Sequence, residues 1–380
     1  MRLLHITSIV SPHQMPLARC LVGRLGTDNY RYAVTGPAIP GRTEMGWDCS
    51  GQEPWILRVR EGELARQMYE KWWMEADVVL CGDRAVGAME NRLKQGNLTL
   101  YTSERWWKPP LGMARLADPR FALMALSLRR LSDSPAFHYL PIGSRAASDM
   151  RRWANFRDRS WLWGYFTALP LPLPKVAKCH AGLHILWAGR MLEWKRVDVL
   201  IKAFGILCRK DETARLTLIG DGPKRQNLEV LARRLGLEGA VEFHSSLPMK
   251  EVWQRMQSAH IYVLPSNGYE GWGAVVNEAM GNGCAVVASE AAGAAKTMIQ
   301  HGENGLLFHQ TEWRQLGHLL CQLSADEPLR LRLAQAGQQT IAERWSPKVA
   351  AERLLEVCDA LLANNATPHF ASGPMSRVLG

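Results

Sequence analysis

The sequence predicts an α/β protein built of two doubly wound halves, each a largely parallel sheet with helices on both faces. Three observations carry that expectation. Short apolar strands alternate with amphipathic helices from Leu183 to Phe308, the rhythm of parallel strands joined by helical crossovers. The first 168 residues repeat the rhythm more loosely, and the run Leu169-Pro-Leu-Pro-Leu-Pro174 separates the two halves, as a stiff extended connector does. With 380 residues, 47% of them hydrophobic, the chain is too long for one ordinary core and too apolar for disorder.

In the first half, Leu3–Val10 reads as a strand, followed by the loop Ser11-Pro-His-Gln-Met15 and a helix from Pro16 to Leu25. Val78–Cys81, Asn97–Thr102 and Phe137–Ile142 are further strands, and Gly62–Glu75 and Phe121–Leu131 have helical spacing. Segments 36–60 and 103–120 show no regular period. In the second half, Leu183–Ala188, Arg215–Ile219, Val241–His244, His260–Leu264 and Ala285–Ala288 read as strands. Helices lie between them at Arg196–Arg209, Lys224–Leu235 and Met249–Ser258, and a turn and strand follow at Gly302–Phe308. Thr311–Ala363 is helical throughout. The expected division is a domain over 1–168, a linker over 169–176, a second domain over 177–345, a helix over 346–363 and a flexible tail over 364–380.

Composition narrows the function. The eight cysteines form no CxxC pair, which argues against structural zinc and for a reduced, cytoplasmic setting. The opening residues are too polar for a signal peptide, and no run of about 18 apolar residues is present to span a bilayer. Residues 1–170 carry 23 Lys/Arg against 16 Asp/Glu and nine of the fifteen tryptophans. Basic charge mixed with interfacial aromatics suits an anionic membrane face. The stretches Arg105-Trp-Trp-Lys108 through Arg115, Arg151-Arg152-Trp153 and Trp161-Leu-Trp163 carry that mixture. The expectation is a cytoplasmic protein that docks peripherally on the inner membrane face through its first domain. No nucleic acid is expected, because no recognition motif accompanies the charge.

The chemistry concentrates after Leu264. Pro265-Ser-Asn-Gly-Tyr-Glu270-Gly-Trp-Gly-Ala-Val-Val-Asn-Glu278 is a Gly-rich turn opening a helix, with seven residues between its two glutamates. Such a helix start presents N–H groups to an anion, and two carboxylates in an apolar segment require partners. In doubly wound sheets ligands bind beyond the carboxyl ends of the strands. Gly189 and Arg190 follow one strand there, with Lys195 nearby, and Gly220-Asp-Gly222-Pro223 follows the next. Two cations flanking a turn suit a diphosphate.

Together these pieces resemble the donor-binding domain of family 4 glycosyltransferases, the retaining nucleotide-sugar enzymes of GT-B architecture. The resemblance covers about residues 183–308, in Ala188-Gly-Arg-Met-Leu-Glu-Trp-Lys195, Leu218-Ile-Gly-Asp-Gly-Pro223, the Glu-x7-Glu stretch and Asn304-Gly-Leu-Leu-Phe308. Arg344-Trp-Ser-Pro-Lys-Val-Ala-Ala-Glu-Arg-Leu-Leu355 resembles the family's closing segment. It implies two Rossmann-like domains facing each other across a cleft, with the last helix crossing back to the first. It also implies transfer of a hexosyl-type sugar from a UDP- or GDP-sugar to a saccharide or lipid-linked acceptor in cell-surface polysaccharide or glycolipid synthesis. Arg190 and Lys195 would stabilise the diphosphate leaving group, Glu270 would hold the transferred sugar, and Glu278 would bind the ribose hydroxyls. Backbone N–H groups around Trp272, Gly273, Ala274 and Val275 would meet the phosphate or the sugar at the helix start. Gly189, Gly222 and His244 complete the donor side, the base sitting near Val241–Ser246. No cofactor is expected besides the nucleotide-sugar, and no metal, because no Asp-x-Asp pair is present.

The first half departs from the family pattern. Ser11-Pro-His-Gln-Met-Pro16 stands where many members have a Gly-Gly loop, and Leu98-Thr-Leu-Tyr-Thr-Ser-Glu104 lacks a histidine that many place near the sugar. His13 and Glu104 are the acceptor-side candidates. The alternatives are a non-catalytic sugar-nucleotide binder on the same scaffold and a nicotinamide-dependent oxidoreductase. The latter's G-x-G-x-x-G fingerprint is absent,.

Overall fold

The computed structural model describes residues 1–37, 53–82, 88–108, 111–178 and 182–378. The chain divides into two compact units. One gathers the described residues up to Thr167 with the stretch from Arg344 onward, and the other spans Ala168–Glu343.

The first unit contains a six-stranded sheet of β1 (Leu3–Thr7), β2 (Tyr30–Val34), β3 (Ile56–Arg58), β4 (Val78–Cys81), β5 (Leu98–Ser103) and β6 (Phe137–Pro141). Its spatial order is β3-β2-β1-β4-β5-β6, and every pairing is parallel. The second unit contains β7 (His184–Ala188), β8 (Arg215–Ile219), β9 (Val241–His244), β10 (Ile261–Leu264), β11 (Ala285–Ser289) and β12 (Leu306–Phe308). Here the order is β12-β11-β10-β7-β8-β9, again all parallel. Counted within its own unit, each sheet runs 3-2-1-4-5-6. The first and fourth strands are therefore neighbours, and the chain leaves them in opposite directions. That divergence opens a crevice at their carboxyl ends, where ligands of doubly wound sheets bind.

β2 and β3 were not expected, and β3 lies inside the segment that shows no period. It is three residues long and pairs on one side only, so its apolar signal is a single buried leucine, Leu57. The short helices Met89–Lys94 and Ser144–Arg151 were likewise not foreseen. Fewer than three turns leave too little sequence for a 3.6-residue period to show.

The first unit's core is aromatic. Trp72, Trp73, Trp106, Trp107, Tyr101, Phe137 and Phe156 form one cluster, and Trp161 and Trp163 are buried as well. This corrects the expectation of interfacial tryptophans. Their indoles are used internally: Trp106 Nε1 donates to Ser103 Oγ (3.2 Å), Trp107 Nε1 to Asp149 O (2.9 Å) and Trp161 Nε1 to His138 Nδ1 (3.1 Å). Arginines lie over several rings, Arg2 at 4.3 Å from the Trp72 centroid and Arg377 at 3.6 Å from that of Trp161. Trp161 of the Arg–Trp stretches thus takes its cation–π partner from the far end of the chain,. Arg92 is buried and holds the carbonyls of Trp73 (2.8 Å), Ala76 (2.5 Å) and Leu98 (3.3 Å).

The end of the stretch expected as a flexible tail packs back on the first unit. Met375 and Ser376 are buried. Met375 N–H donates to Leu162 O and Leu162 N–H to Ser376 O, both at 2.8 Å. An apolar methionine and the outward-facing backbone of Leu162, whose neighbours Trp161 and Trp163 already pair with β6, make this return favourable; composition alone does not reveal it. The helix Pro347–Leu362 packs on the helix Met15–Leu25, with Arg24 paired to Glu352. The proline run 169–174 clusters with the second unit, where Pro174 O accepts from Gln338 Nε2 (2.9 Å).

Candidate functional site

β7 ends at Ala188 and passes into Gly189 and Arg190; β8 ends at Ile219 and turns through Gly220-Asp221-Gly222. These exits are laced together, Gly189 N–H donating to Ile219 O (2.9 Å) and Met191 N–H to Asp221 O (2.8 Å). The approach is so close that a Cβ on Gly220 would stand 1.9 Å from Gly189 O, and one on Gly222 would stand 2.7 Å from Met191 O. Only glycine fits. Asp221 accepts from Ser246 N–H (2.7 Å) and Arg225 (2.8 Å), while Arg225 also donates to His244 O (3.1 Å). The Ser246 N–H is the main reason the Asp221 carboxyl sits below its usual range. His244 thus closes β9 beside the same turn.

β10 lies next to β7, and its exit carries the second half of the site. The buried Tyr262 hydroxyl donates to Ala188 O (3.0 Å) and accepts from Ala188 N–H (3.2 Å), pinning the point where Gly189 and Arg190 emerge. Asn267 N–H donates to Trp194 O (2.9 Å), joining the two loops through their backbones. A 3-10 turn, Glu193–Lys195, ends at Arg196 with φ of 49°. A left-handed conformation on a non-glycine residue is strained, and Asp198 helps hold it by accepting from Arg196 Nε (3.0 Å). That turn aims Lys195 at the elbow. Its Nζ lies 2.5 Å from Glu270 Oε2, which also accepts from Ser266 Oγ (3.0 Å). The structure therefore joins Lys195 and Glu270 directly, whereas sequence reasoning gave them separate ligand groups. Arg190 stands exposed at the strand end.

The elbow is held from below. Trp272 is buried and donates to Asn277 Oδ1 (2.9 Å), so its side chain belongs to the core. Gly293 packs so tightly beneath Gly271 that a Cβ there would lie 2.1 Å from Gly271 O, and Ala294 N–H donates to Trp272 O (2.8 Å). Gly273 has φ of 89°. Ala274 and Val275 are half-buried at the start of the helix Val275–Gly281, whose seven residues make its dipole a short one,. Glu278 lies in that helix, 7% exposed. Burial raises its carboxyl to about 7, with a hydrogen bond from the Trp253 side chain acting in the opposite direction. A carboxyl so placed is neutral or ionised according to what approaches it.

In the first unit, the loop after β1 carries His13 and the exit of β5 carries Glu104. Both meet Tyr165. Its hydroxyl donates to Glu104 Oε1 (2.9 Å), and its ring centroid lies 6.2 Å from that of His13. Lys108 Nζ is 2.6 Å from Glu104 Oε2. Arg105 points instead to Asp149, at 3.2 Å. Sequence reasoning missed Tyr165, Tyr262, Ser266 and Gly293. A Gly after a strand is the only one of these signals that sequence carries, and it is a weak one.

The second unit is doubly wound, with cations, carboxylates and glycine turns at the ends of its two central strands, groups of the kind that meet anionic, hydroxyl-bearing ligands,. The family model described as Glycosyl transferases group 1 matches residues 177–340. Among curated relatives, an uncharacterized glycosyltransferase of Haemophilus influenzae is 32% identical over 184 residues, 46% of this chain and 51% of its own. The D-inositol 3-phosphate glycosyltransferase of Corynebacterium aurimucosum is 32% identical over 176 residues, 45% of this chain and 41% of its own. The lipopolysaccharide core biosynthesis glycosyltransferase LpsE of Rhizobium meliloti is 29% identical over 178 residues, 46% and 48% of the respective chains. The chain thus spans about half or less of the length of these relatives. Among solved structures, Anabaena HepE in complex with UDP superposes with a TM-score of 0.69 at 16% identity, covering 95% of this chain and 100% of that one. Sucrose-phosphate synthase from Thermosynechococcus elongatus gives a TM-score of 0.69 at 17% identity, with 96% and 100% covered. The fold is that of the two-domain GT-B glycosyltransferases.

Proposed function

We propose that the protein is a retaining, family 4 type glycosyltransferase. It moves a hexosyl-type sugar from a nucleotide-sugar to a saccharide or lipid-linked acceptor in cell-surface polysaccharide or glycolipid synthesis, at the cytoplasmic face of an anionic membrane. The carrying observation is the Lys195–Glu270 pair in the loops that leave the paired strands β7 and β10, with Glu278 buried in the first turn of the helix that follows. Arg190 and Lys195 take the diphosphate and stabilise its charge as the glycosidic bond breaks. Glu270, held by Lys195 and Ser266, accepts hydrogen bonds from the sugar hydroxyls. Glu278 takes the ribose diol, which replaces the hydration that burial denies it. Transfer with retention proceeds by front-side attack, the departing phosphate accepting the acceptor's proton. His13, Tyr165 and Glu104 bind the acceptor on the first unit.

The two cations supply the neutralisation that a divalent ion supplies elsewhere, so turnover is expected to survive chelation. UDP is the first donor base to try, because the structurally similar HepE was solved with UDP and UDP-glucose. A thermal-shift panel of UDP-, GDP- and ADP-sugars tests the reading. At a hundredfold excess over Kd, a donor that binds only the folded chain adds about 2.7 kcal/mol of stability. A flat response to every nucleotide and nucleotide-sugar sinks it.

A further inference from the structure

The first unit carries apolar side chains that nothing among the described residues covers. The 3-10 helix Gly112–Ala117 leads into the helix Pro119–Leu131, and the two pack together. The longer helix buries Ala125, Leu128 and Leu131 on one side. On the other, Leu123 is 65% and Leu126 is 54% exposed, and the adjoining Leu111 and Met113 are 61% and 47% exposed. On a helical wheel Leu123, Leu126 and Arg130 share one stripe, with Arg120 and Arg129 on its flanks. A helix apolar on both sides is not explained by the core of its own unit, and contiguous exposed apolar groups mark a contact surface. The helix Glu63–Glu75 adds exposed Leu64 and Met68. It shares the same core cluster as Pro119–Leu131, through Trp72 and Trp73 on one and Ala125 and Leu128 on the other. The right-handed crossovers into β4 and β6 place both helices on one face of the sheet.

Charge selects the occupant. Residues 111–131 hold Arg115, Arg120, Arg129 and Arg130 against Asp118 alone. Asp118 pairs with Arg120, and Glu90 of the neighbouring helix pairs with Arg130 and Lys94. A second copy of the chain, docked by a two-fold axis, would set these arginines against their own images. An anionic lipid surface meets both the apolar stripe and the arginines.

We propose that this face docks on an anionic bilayer, Leu111, Met113, Leu123 and Leu126 entering the headgroup region while Arg120, Arg129 and Arg130 meet lipid phosphates. The proposal replaces the tryptophans of the sequence expectation, of which Trp106, Trp107, Trp161 and Trp163 are buried and Trp153 is half-buried, and it rests on the reading that the enzyme works at a membrane. No helix among the described residues is long and apolar enough to cross a bilayer, so docking is in the plane of the surface.

The full chain is sedimented at low salt with vesicles of phosphatidylcholine and phosphatidylglycerol, and with phosphatidylcholine alone. Wild type is expected to pellet with the mixed vesicles only. Leu123→Ser with Leu126→Ser, and separately Arg129→Gln with Arg130→Gln, are expected to lower partitioning at least about fivefold each. All four positions are exposed, and unchanged circular dichroism and nucleotide-induced thermal shift show each variant to be folded. Wild type that stays in the supernatant overturns the membrane reading and the surface together. Variants that pellet like wild type overturn the surface alone. A wild-type dimer in ultracentrifugation that the leucine variant dissolves assigns the face to a second copy and also overturns the proposal.

Discussion

Glu278→Gln separates two quantities that usually move together, stability and ligand binding. The native Glu278 carboxyl is raised by burial from 4.5 to about 7. The folded chain therefore holds this proton over a range where the unfolded chain has lost it. The group's contribution to stability is greatest below about pH 4.5, declines as pH rises to about 7 and is flat above. A displacement of that size corresponds to about 3 kcal/mol across the window. Glutamine is isosteric and neutral, so the variant loses this dependence. The stability difference, variant minus wild type, should rise by about 3 kcal/mol between pH 4.5 and pH 8. Its absolute level is offset by about 1–3 kcal/mol if the new amide finds no partner. Burial lowers His5 to about 3 and His138 to about 4. Those histidines add stability above about pH 6.5 that is lost on acidification, but they titrate alike in both proteins and cancel in the difference. Urea unfolding of the unliganded full chain at several pH values measures it. In parallel, calorimetry should show the variant binding UDP about tenfold more weakly at pH 8. A stability difference that stays level from pH 4.5 to 8 refutes the reasoning about burial, and equal UDP affinity refutes the ribose assignment.

The other expectations are briefer. Glu270→Ala should lower kcat at least about a hundredfold, with UDP affinity changed little, because its proposed contact is with the sugar; steady-state kinetics against nucleotide titration shows the split, and unchanged kcat refutes the role. Arg92→Met strips a buried cation from three carbonyls and should cost about 3–5 kcal/mol in chemical denaturation, since the acceptors stay buried and unpaired.

Much of the second unit was legible beforehand. Arg215–Ile219 and Val241–His244 occupy the same residues in sequence and structure, the first because its buried residues read as an apolar run,, the second, a partly exposed edge strand, because it falls between two helical periods,. The Glu-x7-Glu elbow was legible because glycines, small apolar residues and carboxylates are rarely combined so densely. Its partners were not. Tyr262 is one apolar-looking residue of a buried strand, and only the pairing of β10 with β7 turns its hydroxyl into a peg for Ala188. The tryptophans misled for a related reason. An indole beside an arginine has the same sequence signature whether the pair faces lipid or closes a core.

Local chemistry written along the chain, namely the strand and helix periods, the glycines at strand exits and the charged residues beside them, determined the doubly wound class and the donor-side candidates by itself. The tertiary structure alone decided that Lys195 is fastened to Glu270, that Glu278 is buried deeply enough to titrate near neutrality, and that the tail from Gly373 returns to the first unit. It also showed Leu111, Met113, Leu123 and Leu126 exposed and most of the tryptophans beside them buried. Each of these depends on which distant segments exclude water from a side chain. Exclusion of water is a property of packing and not of any window of sequence.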